Sequence, residues 1–151
     1  MPNRRQFLAT GGSLIALSTT LKAQANRRKR VAFLGTEVRR HSHAQHFLDR
    51  MTAGYAWGGG WQKPRVEVAS VFIDQTPDGA LSKQRIEKHG LRQYPTIAQA
   101  LTLGGEKLAV DGVVIIAEHG QYPSNEKGQK RYPRYDWFQQ VVLEYCSPKH
   151  R

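Results

Sequence analysis

Three short apolar runs constrain what this chain can fold into. They are Val31-Ala32-Phe33-Leu34-Gly35-Thr36, Val66-Glu67-Val68-Ala69-Ser70-Val71-Phe72-Ile73 and Val113-Val114-Ile115-Ile116-Ala117. Near-continuous runs of this kind, rich in β-branched residues, read as strands buried on both faces. The segments between them have helical spacing. Residues 43–53 place Ala44, Phe47, Leu48 and Met51 at intervals of three, four and seven. Asp78 is positioned to cap a polar helix running to His89, with Gly90 just past its end. Around Tyr94 at most a stub of strand is expected. Thr96 caps a short helix carrying Ile97, Ala100 and Leu101, stopped by Gly104-Gly105. Residues 134–146 carry Trp137, Phe138, Val141, Val142 and Tyr145 on one broad face. Strands alternating with helices predict an α/β fold, a Rossmann-like parallel sheet with helices on both faces.

The charge of the chain has to be located before it is interpreted. Lys and Arg number 23 against 12 Asp and Glu, a formal charge of +11 in 151 residues. Seven of the basic residues, and no acid, lie in residues 1–30, which leaves a net of only +4 for the rest. Asn3-Arg4-Arg5-Gln6-Phe7-Leu8 resembles a twin-arginine export signal, an apolar stretch from Ala9 to Leu21 follows, and Ala23-Gln24-Ala25 has the form of a cleavage site. The apolar stretch is too short for a bilayer span, which needs about 20 residues. The expected organisation is a signal peptide over 1–25, a basic leader over 26–30 and a Rossmann-like domain over 31–151. Export by the twin-arginine translocase to the periplasm or outside the cell follows, and Cys146, alone in the sequence, needs no oxidative folding. The leader Asn26-Arg27-Arg28-Lys29-Arg30 is expected to be solvated, and no nucleic-acid partner is expected.

Open parallel sheets bind ligands beyond the carboxyl ends of their strands, where the strand order reverses. Gly35-Thr36-Glu37, Asp74-Gln75 and Ala117-Glu118-His119-Gly120 should converge there. A carboxylate after the second strand suits a ribose diol, so Asp74 is a candidate for a dinucleotide's ribose. Gly35 allows close backbone approach to a phosphate, although Glu37 and Arg40 stand where a dinucleotide fingerprint has further glycines.

Asp74, His89-Gly90, Tyr94-Pro95-Thr96, Ala100-Leu101 and Val110-Asp111-Gly112-Val113-Val114-Ile115-Ile116-Ala117 resemble, in order and spacing over residues 31–120, the amino-terminal half of the glucose–fructose oxidoreductase/inositol dehydrogenase (Gfo/Idh/MocA) family. The resemblance implies binding of NAD or NADP, with Gly35, Thr36, Asp74, Ala117, Glu118 and His119 lining the cleft. It also implies a sugar-like or cyclitol substrate held by a second domain. The family's catalytic lysine lies in a Glu-Lys-Pro motif. Glu126-Lys127-Gly128 does not match it by position, so no catalytic residue is carried over and the domain is expected to be incomplete.

Other groupings carry alternatives. His43 and His46, three apart on one helical face, form with His119 an alternative metal site, with His41 and Glu118 nearby. The plainer reading is a set of polar residues around a cleft. Tyr55, Trp57 and Trp61 lie in a Gly-rich loop that either stacks on a sugar or base or packs down as a lid. Lys127, Lys130, Arg131 and Arg134 surround a polar loop between Tyr122-Pro123 and Tyr132-Pro133, which either meets an anion or is simply solvated.

Overall fold

The computed structural model describes residues 27–148, so the expected export signal lies outside the described residues. Strand β1 (Lys29–Gly35) lies at the centre of a three-stranded sheet. The strand Val66–Ile73 pairs parallel with one edge of β1 and the strand Gly112–Ile116 with the other. Between β1 and Val66–Ile73 come helix α1 (His43–Thr52) and a small antiparallel hairpin, β2 (Tyr55–Trp57) and β3 (Gly60–Gln62). The two outer strands are therefore β4 (Val66–Ile73) and β5 (Gly112–Ile116). Helices α2 (Ser82–His89) and α3 (Ile97–Thr102) join β4 to β5, and α4 (Arg134–Cys146) follows. The architecture is the Rossmann-like α/β arrangement that the apolar runs predict.

Alternation along β1 builds two cores at once. Val31 and Phe33 face α1 and α2 with Ala44, Leu48, Val71 and Ile73. Ala32 and Leu34 face α3 and α4 with Ile97, Ala100, Leu101 and Trp137. The ring of Trp137 meets that of Phe72 edge-on at 5.3 Å. In β4 the inward residues toward α1 and α2 are Val66, Val68, Val71 and Ile73, a spacing of two, three and two. The extra residue is a bulge: Val31 pairs with Val68, but Ala32 pairs with Ser70. The bulge flips the strand's phase, so buried Ser70 turns to the other layer and its hydroxyl donates to the Ala100 carbonyl at 2.7 Å.

The stub at Tyr94 is a single parallel bridge. The Val71 N–H donates to the Arg92 carbonyl and the Tyr94 N–H to the Val71 carbonyl. The resulting order is stub, β4, β1, β5. The chain covers one face with α1 and α2, passes the stub, and covers the other face with α3 and α4. The order therefore reverses between β1 and β5.

Several local expectations are corrected. The strand β1 starts at Lys29, so the last two leader residues belong to the sheet, while Arg27, Arg28 and Lys29 remain exposed. Arg27 and Lys29 pair with Asp111, whose carboxylate also accepts from the Arg30 N–H at 2.8 Å. That backbone bond, aided by the two cations, holds Asp111 below the usual carboxylate range. Asp78 does not cap α2. Residues 77–80 form a turn closed by the Ala80 N–H on the Pro77 carbonyl, and the helix starts four residues later, behind Leu81. The loop at 54–61 is the β2–β3 hairpin, turned at Gly58-Gly59 with φ of 58° and 78°, a conformation that side chains disfavour. Trp57 stands exposed, while Trp61, also largely exposed, folds back so that its indole N–H donates to the Ala53 carbonyl at 3.1 Å. The broad face of α4 is divided, with Trp137 buried while Phe138 and Val142 are exposed.

Helices α1 and α2 are tied together by Asp49, which accepts from Arg85 Nε at 2.9 Å and Nη2 at 3.0 Å. Burial pushes the Asp49 carboxyl up, but the bonds from Arg85 and Gln45 outweigh it and hold it below its usual value. A depressed carboxylate stabilises the fold above its unfolded-state value of about 4 and ceases to as pH falls through its folded value. Thermal melts of wild type and Asp49→Asn should therefore differ at pH 7, and the difference should shrink as pH falls below the ordinary carboxylate range. A constant difference across that range would contradict this account.

Candidate functional site

The carboxyl ends of β1, β4 and β5 bring the expected residues to one edge of the sheet. Gly35 ends β1 and Thr36 follows it, buried. Its N–H donates to the Ile116 carbonyl at 3.2 Å, and its hydroxyl accepts from the His119 N–H at 3.3 Å. Asp74 and Gln75 continue the β4 ladder, their N–H groups donating to the carbonyls of Gly35 and Thr36. Ala117 is buried, with Glu118 and His119 half-buried beyond it. These seven positions are adjacent because backbone bonds stitch the three strand ends together.

Gly35 ends β1 as the apolar run predicts. It is a strand residue, and a Cβ there would meet the side chains of Phe33 at 3.0 Å and Ile73 at 3.3 Å. A side chain at this position would therefore press on the core beneath, which would have to give by a few tenths of an ångström. The turn after it, residues 36–42, leads into α1. Ser42, buried, caps that helix by accepting from the Gln45 N–H at 3.1 Å, while Gln45 Oε1 accepts from the His41 N–H at 2.6 Å. Arg39 and Arg40 are exposed on this turn, and Glu37 is half-buried.

The loop after β5 closes over the edge. Gln75 binds the backbone of Gln121 twice, accepting from its N–H at 2.8 Å and donating to its carbonyl at 3.3 Å. Gly120 makes this possible: its φ is 111°, and a Cβ would sit 2.9 Å from both Gln75 Oε1 and the Tyr122 ring. The Tyr122 hydroxyl donates to Asp74 Oδ2. The Tyr122 ring lies edge-on to Tyr132, and the guanidinium of Arg134 sits 5.3 Å from the Tyr132 ring centre. Arg134 Nε donates to the Ala117 carbonyl at 2.9 Å, and Lys130 donates to the Tyr122 carbonyl at 3.1 Å. Two of the four cations at the loop are thus engaged with backbone, while Lys127 and Arg131 are exposed.

On the outer side of β5, His43 Nδ1 and Glu118 Oε2 lie 2.5 Å apart. They head an open slot of about 460 Å³ lined also by Phe47, Ile115, Arg134 and Phe138. The alternative metal site does not form: His43, His46 and His119 are not brought together. Among the described residues, no group of three or more His, Cys, Asp or Glu side chains could hold a metal ion.

Sequence reasoning placed Asp74 at the edge but did not foresee its partner. Tyr122 and Gln75 do most to organise this surface. The available signal was Gly120, a turn that aims the following residues back over the strand ends. Comparison with protein-family models, curated proteins and solved structures finds no match to this chain.

Burial, followed by the hydrogen bond to Asp74, raises the Tyr122 phenol well above the ordinary value of about 10. A raised phenol stabilises the fold below that ordinary value, and the contribution is lost as pH climbs toward the folded one. In an absorbance titration Tyr122 and Tyr145 should ionise later than the other tyrosines, and Asp74→Asn should lower the midpoint of Tyr122 while leaving the part due to burial. A Tyr122 midpoint that Asp74→Asn leaves unmoved would show that the Tyr122–Asp74 bond does not persist in solution.

Proposed function

We propose that this chain is an exported nucleotide-binding module, akin to the amino-terminal half of the Gfo/Idh/MocA oxidoreductases, that takes NAD or NADP at the crevice between β1 and β5. The observation that carries the reading is the strand order stub–β4–β1–β5, with Asp74 at the carboxyl end of β4 beside the point of reversal. Gly35, Thr36, Ala117, Glu118 and His119 would line the same crevice.

The residues present fit one end of a dinucleotide better than the other. Asp74 offers a carboxylate that already accepts from one hydroxyl, that of Tyr122, and a ribose hydroxyl would make the same kind of bond in its place. The pyrophosphate end has no glycine-rich cradle. The cations Arg39 and Arg40, exposed on the turn before α1, would balance its charge there. A bound nicotinamide would supply or accept a hydride. None of this chain's side chains is assigned to that step, and a sugar-like substrate would need groups from elsewhere. The module's own work is to bind and orient.

A second reading is favoured by the Tyr122–Asp74 bond itself. If the loop 118–133 permanently occupies the crevice, the chain is a non-catalytic exported αβ domain. Titration with NADH and NADPH, followed by nucleotide fluorescence and by the shift in Tm, separates the two. On the first reading Asp74→Ala weakens binding about tenfold, the loss of one charge-assisted hydrogen bond. On the same reading Tyr122→Phe strengthens it by removing the competing hydroxyl. Absence of binding in both wild type and Tyr122→Phe supports the second reading and overturns the first.

Export rests on Arg4-Arg5, the apolar stretch after them and Ala23-Gln24-Ala25. Among the described residues no helix is long and apolar enough to cross a membrane. Replacing both arginines, Arg4→Lys with Arg5→Lys, should leave uncleaved precursor in the cytoplasm, whereas the wild type is recovered processed in the periplasm. Equal processing of both chains would refute the twin-arginine route.

A further inference from the structure

Between helix α1 and the β2–β3 hairpin lies an open slot of about 640 Å³, a volume within the small-molecule range of about 300 to about 1,000 Å³. On the helix side it is lined by Phe47, Arg50 and Met51, which share one face of α1. On the hairpin side it is lined by β2, and the chain over 64–66 completes the lining. By alternation Tyr55 and Trp57 share one face of the hairpin. Trp61 lies on the other face, where its indole N–H is already bonded to the Ala53 carbonyl. Trp57 is 74% exposed, and its cross-strand neighbour is Gly60, which has no side chain to cover the ring. Because Val66 begins β4, the slot lies at the amino ends of the strands, opposite the crevice that holds Asp74.

The polar groups of this slot are nearly all donors. Arg50 and Arg65 border it, both exposed, and among the described residues neither guanidinium has an ion pair or a hydrogen bond. The nearby acids do not serve them. Asp49 is bonded to Arg85, and Glu67 turns to the face of β4 away from Val66 and Val68. Residues 1–26 and 149–151, outside the described ones, contain no acid, so their side chains cannot supply the missing charge. The Tyr55 hydroxyl is the one oxygen among the lining side chains, and none of them is a carboxylate, amide or imidazole. A sugar presents a donor with every acceptor, so this lining would leave its hydroxyl hydrogens without side-chain partners. A flat apolar body that carries only acceptors matches the slot better. We propose that the slot binds a planar aromatic anion, its ring against Trp57 and Phe47 and its carboxylate or phosphate on Arg50 and Arg65. The proposal does not depend on nucleotide binding in the crevice.

Naphthoate and naphthyl phosphate are the probes, and the indole N–H resonances of the purified chain, followed by NMR, are the readout. The Trp57 resonance, assigned with Trp57→Phe, should shift saturably with a Kd below about 1 mM. Those of Trp61, already bonded, and of buried Trp137 should move far less. Arg50→Gln and Arg65→Gln, both at exposed sites, should each weaken binding about tenfold with an unaltered circular dichroism spectrum. Neutral naphthamide should bind the wild type at least about tenfold more weakly than naphthoate. Equal binding of naphthamide overturns the proposal, because the slot then answers to apolar area alone. So does an equal response to inorganic phosphate, because the ring then contributes nothing. The naphthamide and phosphate comparisons use the wild type, so they decide even if a variant does not fold. A Trp57 resonance unmoved by either probe at about 10 mM also overturns it. If phosphatidylglycerol vesicles then shift the tryptophan emission to the blue, the hairpin meets a lipid surface instead.

Discussion

The structure depends on β1 having a ladder on each side and a helical layer on each face. Val31 to Thr36 are all buried, so every backbone polar group there must find a partner within the protein. Two parallel neighbours supply those partners, and alternation of the side chains divides the remaining volume into two cores. The chain enters this strand through the Asp111 clamp, where one carboxylate gathers Arg27, Lys29 and the Arg30 N–H. It leaves through Thr36, whose backbone and hydroxyl bind the end of β5 and the residue beyond it. The two ends of β1 are thus anchored to the same neighbouring segment, once before β5 and once after it.

The carboxyl edge is unlike an open cleft waiting for a ligand. Gln75 and Tyr122 satisfy groups that an entering molecule would otherwise meet, and Gly120 provides the backbone geometry that lets them do so. A ligand at this edge must replace hydrogen bonds already made, so its affinity is a difference between two sets of bonds rather than the sum of one. This cost falls most heavily on Asp74, whose carboxylate already accepts from the Tyr122 hydroxyl.

Elements governed by local chemistry were legible in the sequence. The apolar runs marked β1, β4 and β5, Thr96 marked the start of α3, and Gly90 marked the end of α2. Residues governed by distant partners were not. Asp78 has the right side chain for a cap, but the turn closed on Pro77 delays the helix. Arg27 and Lys29 are exposed as expected, but their pairing with Asp111, more than 80 residues away, has no local signal. The split face of α4 has a similar origin. Periodicity identifies Phe138 and Val142 as apolar, but only the position of β5 at the sheet's margin shows that they overhang it. The site was legible as a convergence of strand ends. The loop that covers it was not, because the Tyr122–Asp74 bond spans 48 positions and has no periodic signature.

The bulge in β4 makes one strand behave as two segments with independent phases. Val66 to Val68 follow one registration against β1, and Ser70 to Ile73 follow another. A single-residue deletion near Ala69 would merge the two and rotate one segment relative to the other. Insertions or substitutions confined to the first segment leave the second undisturbed. Variation can therefore accumulate where β4 departs the hairpin without altering the direction in which Asp74 leaves the sheet.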